Sequence, residues 1–285
     1  MTRGHESDGL TQTQEAVLGW GLPRLRDLPW RRTRDPWAIL VSEVMLQQTQ
    51  VPRVIPKFLA FMEACATPEE CAAAPLGDVL RLWQGLGYPR RARNLQLAAI
   101  EVGRLGEFPS SLDGLLALPG VGQYTARAVM AFAFETDAAV VDTNIARVFA
   151  RVGGQSLTAR EVQSAADEAL PPDMSWEWNQ CLMELGAILC RPAPHCDECP
   201  LAHTCAWRGV GPDPAIGSAA VSRPQARFEG SERQARGRLL KALSNGPVPA
   251  ARVGVVMQHA ASERLVRALC KEGLVRREGD TLRLP

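Results

Sequence analysis

Leu118-Pro119-Gly120-Val121-Gly122 stands between two helix-like stretches. It cannot itself be helix interior, where Gly costs about 1 kcal/mol and Pro about 3 kcal/mol relative to Ala. Leu112, Leu115 and Leu116 precede it, and Tyr124-Thr125-Ala126-Arg127-Ala128-Val129-Met130 follows. The spacing predicts two helices joined by a tight Gly hairpin. Such a turn bares the backbone N–H groups of a helix N-terminus, where a phosphate can sit. Twenty residues on, Asp142 lies between an apolar run (Ala138 to Val141) and a new helix (Ile145 to Arg151). Each feature has a plain structural reading as well: a tight αα connection, and an Asp that caps a helix.

The 285 residues are enough for more than one domain with an ample core. The start, Met1 to Gly9, is polar with no apolar signal core, and no run approaches a membrane helix. These features predict a cytoplasmic protein with no membrane partner, and nothing suggests more than a monomer. Net charge is +1, but Phe228 to Pro285 holds eleven Lys and Arg against six Asp and Glu. A basic tail follows a slightly acidic body. Arg31-Arg32 with Arg34, and Arg90-Arg91 with Arg93, form shorter basic clusters that suit either a solvated face or a phosphate contact.

Cys65, Cys71, Cys181 and Cys270 are scattered and read as core thiols. Cys190, Cys196, Cys199 and Cys205 instead follow C-x5-C-x2-C-x5-C. Without a secretory signal this pattern argues for metal rather than disulfides, either zinc or a [4Fe–4S] cluster. Zinc sites usually pair two short Cys-x-x-Cys knuckles, and only one exists here. A compact loop bearing Pro192, Pro194 and Pro200 suits a cubane that needs four separate ligands. His195 and His203 read as surface residues, because four thiolates complete either site.

The segment 10–208 reads as nearly all helix, with periodic apolar stretches at 37–62, 76–83, 92–105, 112–118, 124–134, 144–152, 160–170 and 176–190. A Gly-, Pro-, Ala- and Ser-rich linker is expected over 209–227. Residues 228–285 predict three helices (Glu232–Leu243, Pro249–Met257 and Ser262–Glu272) and a hairpin turning at Gly279-Asp280, the pattern of a winged helix. The helix Trp37 to Leu46 is apolar almost all round, so Glu43 in its middle should be buried. Burial raises a carboxyl pKa, which suits either a structural Glu with a partner or a general acid. Glu43, Gln47 and Gln50 would share one stripe of that helix.

Taken together, several motifs resemble the helix–hairpin–helix DNA glycosylases that carry an iron–sulfur cluster. Within them the chain is similar to the A/G-mismatch adenine glycosylases, the MutY family. The matching text is Leu28-Pro29-Trp30-Arg31, Val41 to Val51, Leu82 to Tyr88, Arg91 to Leu95, Leu118 to Ala126, Val141-Asp142-Thr143-Asn144 and Met183 to Ala187. The resemblance covers roughly Leu25 to Trp207.

It implies an all-α, two-lobed fold over 10–208: a six-helix lobe at about 35–145, and an N-terminal and cluster lobe of 10–34 with 146–208. It implies one [4Fe–4S] cluster on Cys190, Cys196, Cys199 and Cys205. The partner would be double-stranded DNA containing a mismatched adenine, and the place the bacterial nucleoid. Asp142 would stabilise the oxocarbenium-like sugar, or trap it transiently. Glu43 would protonate the leaving adenine. Tyr124 and Asn144 would hold the carboxylates. Gln48, Thr49 and Tyr88 would wedge into the duplex, and Leu118, Gly120, Val121 and Gly122 would grip the backbone. The reaction would be hydrolytic removal of a flipped adenine opposite 8-oxoguanine or guanine. Bifunctional relatives carry a lysine at the Tyr124 slot, and no Lys occurs here between Lys57 and Lys241, so a monofunctional enzyme is expected.

Three departures stand out. The first Cys spacing is x5 where the family usually has x6, and Asp142-Thr143-Asn144 replaces the usual Asp-Gly-Asn. The tail is too short for the Nudix-like domain that reads 8-oxoguanine in many members, and resembles shorter actinobacterial versions. Two alternatives remain open: a T:G mismatch thymine glycosylase of the same superfamily, and a non-catalytic DNA-binding protein.

Overall fold

The computed structural model describes residues 10–222 and 226–285, so the polar start at Met1 to Gly9 lies outside the described residues. Along the chain run α1 (Gln12–Gly21), α2 (Pro36–Leu46), α3 (Val51–Ala64), α4 (Pro68–Ala73), α5 (Leu76–Leu82), α6 (Arg90–Leu105) and α7 (Leu112–Leu116). Then come α8 (Gln123–Phe132), α9 (Thr143–Gly153), α10 (Ala159–Ala169) and α11 (Ser175–Ile188). The tail adds α12 (Glu232–Asn245), β1 (Val248–Pro249), α13 (Val253–Met257), α14 (Ser262–Lys271), β2 (Arg276–Glu278) and β3 (Thr281–Arg283). The chain is helix-dominated, as the periodicity predicts.

Two compact units form: Met1–Pro36 with Gly122–Arg223, and Trp37–Val121 with Pro224–Pro285. In the first, α11 packs on α1, α8 and α9, and α10 packs on α9. Val17, Leu18, Ile145, Val148, Trp178, Leu182 and Leu185 form its core. Capping boxes at Thr11–Gln14 and Thr158–Glu161 start α1 and α10. The stretch expected to be a linker is anchored over its first part. Asp213 pairs with the buried Arg151 at 2.6 Å, and Ser218 Oγ accepts from the Leu157 N–H at 3.0 Å.

In the second unit, α4 and α5 pack on α6, and α3 packs on α5. Trp37, Phe61 and Trp83 meet in sequence in its core, the first pair tilted and the second edge-to-face, with ring centres 6.5 and 6.3 Å apart. The apolar stretch read as 37–62 is two helices, because a turn at Gln47–Gln50 interrupts it. Gln50 is therefore the residue before α3 and leaves the Glu43 stripe. The tail has the expected order of three helices and a hairpin, with β3 central and antiparallel to both β1 and β2. It belongs to the same unit as 37–121, and α12 lies against α5.

Candidate active site and cysteine cage

Asp142 is the N-cap of α9. Its approach is fixed from α11: Asn179 Oδ1 accepts from the Val140 N–H at 2.8 Å, and Asn179 Nδ2 donates to the Ala138 carbonyl at 2.9 Å. The carboxylate then takes three donors. Oδ1 accepts from the N–H groups of Asn144 (2.9 Å) and Ile145 (2.7 Å), and Oδ2 accepts from Asn144 Nδ2 (2.9 Å). Burial pushes the Asp142 carboxyl above its ordinary value, while those donors and the Arg147 charge oppose the rise. The capping role and a chemical role are compatible, since the cap is what fixes the carboxylate.

Behind Asn144 stands Arg147. Its Nη2 donates to Asn144 Oδ1 at 2.8 Å and to the Gly186 carbonyl at 2.7 Å. Its Nε donates to the Cys190 carbonyl at 2.5 Å. One guanidinium thus joins the carboxylate's holder to the first cysteine of the loop. Sequence reasoning passed over Arg147. The available signal was a pair of arginines, Arg147 and Arg151, on the apolar face of α9 at i, i+4, where both are buried. Tyr124 lies half-buried in the first turn of α8 in the same unit.

Cys190, Cys196, Cys199 and Cys205 all line one small cavity of about 20 Å³, with Arg151, Leu185, Leu201 and Trp207 around it. Neither His195 nor His203 lines it. Arg151 ties the loop down, donating to the carbonyls of Arg191 (2.7 Å) and Pro192 (3.2 Å) and lying 4.5 Å from the Trp207 ring centre. Burial pushes the Cys190 thiol up, and Arg151 pulls it back toward thiolate. Four sulfurs on one cavity, beside a buried cation, fit a cluster that offers each a separate corner. Among the described residues no group of three or more His, Cys, Asp or Glu is arranged to hold a metal ion, so the fit rests on the shared cavity and on the donor set. Of the scattered cysteines, Cys65, Cys71 and Cys181 are buried core thiols and Cys270 is half-buried.

In the other unit Glu43 is 4 % exposed, in a helix whose residues Trp37 to Met45 are all buried. The C-terminal end of that helix is gathered by Arg91. Its Nη1 donates to the carbonyls of Val44 (2.7 Å), Met45 (3.1 Å) and Gln47 (2.6 Å). Its Nη2 donates to Thr49 Oγ1 (3.2 Å) and to the carbonyls of Leu86 (3.0 Å) and Gly87 (3.2 Å). Burial lowers the Arg91 pKa to about 10, still far above neutrality, so the cation persists. Gln48 (φ 56°) and Tyr88 (φ 48°) sit on these two turns in left-handed backbone that L-residues rarely adopt. Both are exposed and Thr49 is half-buried.

The basic clusters are therefore mostly structural. Arg91 is a buried helix clamp, and Arg31 joins Arg26 on the fully buried Glu184 at 2.6 and 2.8 Å. Arg34 pairs with Glu135 at 2.6 Å.

The hairpin turn lies in the same unit as Glu43. The Val121 N–H donates to the Leu118 carbonyl at 3.1 Å, with Pro119 second and Gly120 third at φ 79°, as a type II turn requires. A Cβ at Gly120 would also lie 2.7 Å from Asn94 Cβ. Gly122, the N-cap of α8, has no side-chain cap and open space where a Cβ would be.

The sequence profile of the HhH-GPD superfamily base excision DNA repair proteins matches residues 41–172. The fold agrees: the chain superposes on a thermostable thymine-DNA glycosylase with a TM-score of 0.66 and 30 % identity, over 69 % of this chain and 95 % of that one. Endonuclease III trapped covalently on DNA gives 0.61 and 27 %, over 70 % and 98 %. The chain is a base excision repair glycosylase of the helix–hairpin–helix class. More narrowly, the adenine DNA glycosylase of Mycolicibacterium smegmatis is 42 % identical over 277 residues, 93 % of this chain and 92 % of the relative. This chain belongs to the adenine DNA glycosylase family.

Proposed function

We propose that this enzyme flips an adenine mispaired with 8-oxoguanine or guanine out of duplex DNA and hydrolyses its N-glycosyl bond. Extrusion is needed because the bond is inaccessible inside the base stack. Glu43, buried in an apolar helix, delivers a proton to the adenine ring, so that the base departs neutral with the bonding electron pair. Positive charge develops on the sugar, and the Asp142 carboxylate stabilises it. Water then adds to the anomeric carbon and loses a proton. This is the division of labour of glycoside hydrolysis, one acid for the leaving group and one carboxylate for the cation.

What carries the reading is the three-donor hold on Asp142, which keeps a half-buried carboxylate available and aimed. Asn144 is its positioning residue, and Tyr124 assists. Gln48, Thr49 and Tyr88 enter the duplex, while the backbone from Leu118 to Gly122 receives a phosphate. Tyr124 in place of a lysine leaves water as the nucleophile, so the enzyme is monofunctional. The four thiolates of Cys190, Cys196, Cys199 and Cys205 would hold one [4Fe–4S] cluster, whose iron–sulfur bonds would tie the loop closed beside Arg147 and Arg151.

A single-turnover assay across a mismatch panel tests the substrate assignment. Release of free adenine from A:8-oxoG and A:G duplexes is expected. Release of thymine from T:G with A:8-oxoG left intact would instead assign the enzyme to the thymine branch. Tight binding with no base released would make it a non-catalytic binder.

A further inference from the structure

A groove of about 850 Å³ runs within the second unit, between the loop Trp83 to Arg90 and the C-terminal module. That size falls inside the range of ligand sites, about 300–1,000 Å³. The module is seated on this loop and on α5 by defined contacts. Gln84 Nε2 donates to Ser244 Oγ at 3.0 Å, Arg81 Nε to the Ser244 carbonyl at 3.3 Å, and the Gly77 N–H to the Pro285 carbonyl at 2.9 Å.

The lining is far from the near-neutral average of the chain, whose net charge is only +1. Arg53, Arg90, Arg227, Arg233, Arg236 and Lys241 line the groove against one carboxylate, Glu272. Glu272 is itself held by Arg90 and Arg236, each at 2.9 Å. Even with Arg227 paired to Glu229 at 3.0 Å, that excess of cations suits an anion. The groove's aromatic surfaces narrow the class of anion. Tyr88 is 37 % exposed and Phe228 57 % exposed, both against the usual preference of such rings for burial. Arg233 links them: its Nη1 donates to the Tyr88 hydroxyl at 3.0 Å, and its guanidinium carbon lies 5.9 Å from the Phe228 ring centre. Cations that track a backbone, interleaved with rings on which bases stack, characterise sites for nucleic-acid strands. An acidic peptide would use the cations and leave the rings idle.

We propose that this groove is a channel for a segment of the substrate DNA strand, with the C-terminal module as one wall and Arg233 as the positioning residue for Tyr88. The proposal rests on the glycosylase reading for its choice of DNA. The tail thereby acquires a role, because the module completes the strand-binding surface and fixes the strained Tyr88 turn from outside.

The test uses the full chain and a labelled duplex with a central A:8-oxoG pair, with anisotropy followed from 50 to 300 mM salt. Arg227→Gln with Lys241→Gln alters two exposed cations of the groove. The expected result is about tenfold weaker binding near physiological salt, with the log–log salt slope reduced by about 2. An unchanged affinity and slope would overturn the proposal. So would an equal loss from Arg252→Gln with Arg267→Gln, two exposed cations of the same module outside the groove. Polyglutamate binding that the groove variant abolishes, with duplex binding untouched, would reassign the site to an acidic peptide. Arg233→Gln and Tyr88→Phe should weaken binding no more together than singly. Additive losses would sink the positioning role. Adenine release by the unaltered chain is scored separately, so failure of the glycosylase reading is distinguishable from failure of the groove.

Discussion

Gly186 of α11 lies directly against Asn144 of α9: a Cβ at position 186 would stand 2.4 Å from Asn144 Cβ and 2.9 Å from its Cα. Helix α11 can approach the N-terminus of α9 this closely only because residue 186 has no side chain. That approach also brings the Gly186 carbonyl to Arg147, whose other bond orients Asn144. Gly186→Ala should displace Asn144 and loosen its hold on Asp142. We expect a destabilisation of about 1–3 kcal/mol in urea melts. The single-turnover rate of base release should fall at least tenfold, with duplex affinity retained.

With Asp142 in its proposed role, its raised pKa should set the acid limb of the reaction. The carboxylate form would do the work, so the rate is expected to be full above the folded-state pKa and to be lost as pH falls through it. Burial places that pKa above the ordinary Asp value of about 3.9. Asn144→Ala removes a donor to the ionised form, and should move the limb to still higher pH. Single-turnover rates measured from pH 4 to 8 for both proteins check this.

Arg91 holds the end of α2 and the turns that carry Gln48 and Tyr88. Lysine cannot span the same acceptors, because it lacks the rigid fork of the guanidinium. Arg91→Lys should cost about 2–4 kcal/mol in chemical denaturation, the range for breaking a buried hydrogen-bond network. Gln48 and Tyr88 should become more susceptible to proteolysis around their turns.

Gly120 is required twice, by its positive φ and by the nearness of Asn94. The left-handed backbone alone costs an L-residue about 1–2 kcal/mol. Gly120→Ala should lower stability by at least that much. It should also weaken duplex binding, whereas Gly122→Ala, which meets open space, should do so far less. Parallel melts and anisotropy titrations separate the two.

The hairpin and the caps were legible in the sequence because their chemistry is local. Pro119 and Gly120 admit one turn, and Asp142 before an apolar helix admits one cap. The helix pattern and the tail's winged-helix order follow from periodicity for the same reason. What could not be read is long-range. The stripe Glu43, Gln47, Gln50 continues a helical period that the chain abandons after Leu46, where Arg91, 44 to 47 residues downstream in sequence, collects the carbonyls. Arg31 and Arg91 look like free basic clusters because their acceptors, Glu184 and the end of α2, are distant in sequence. The Gly- and Pro-rich stretch after Gly209 has the composition of a tether, yet Asp213 finds Arg151. Arg147 carries no local signal beyond its place on an apolar face.

The central claim is that Glu43 and Asp142 perform the chemistry while other residues hold the DNA. Its most direct test is single-turnover release of adenine from an A:8-oxoG duplex by the unaltered enzyme, Asp142→Asn and Glu43→Gln, with anisotropy on the same samples. The account predicts that both variants bind the duplex within a few-fold of the unaltered enzyme. It also predicts that each releases adenine at least a thousandfold more slowly, since each lacks an interaction made only in the transition state. Adenine release by either variant within tenfold of the unaltered rate would contradict it.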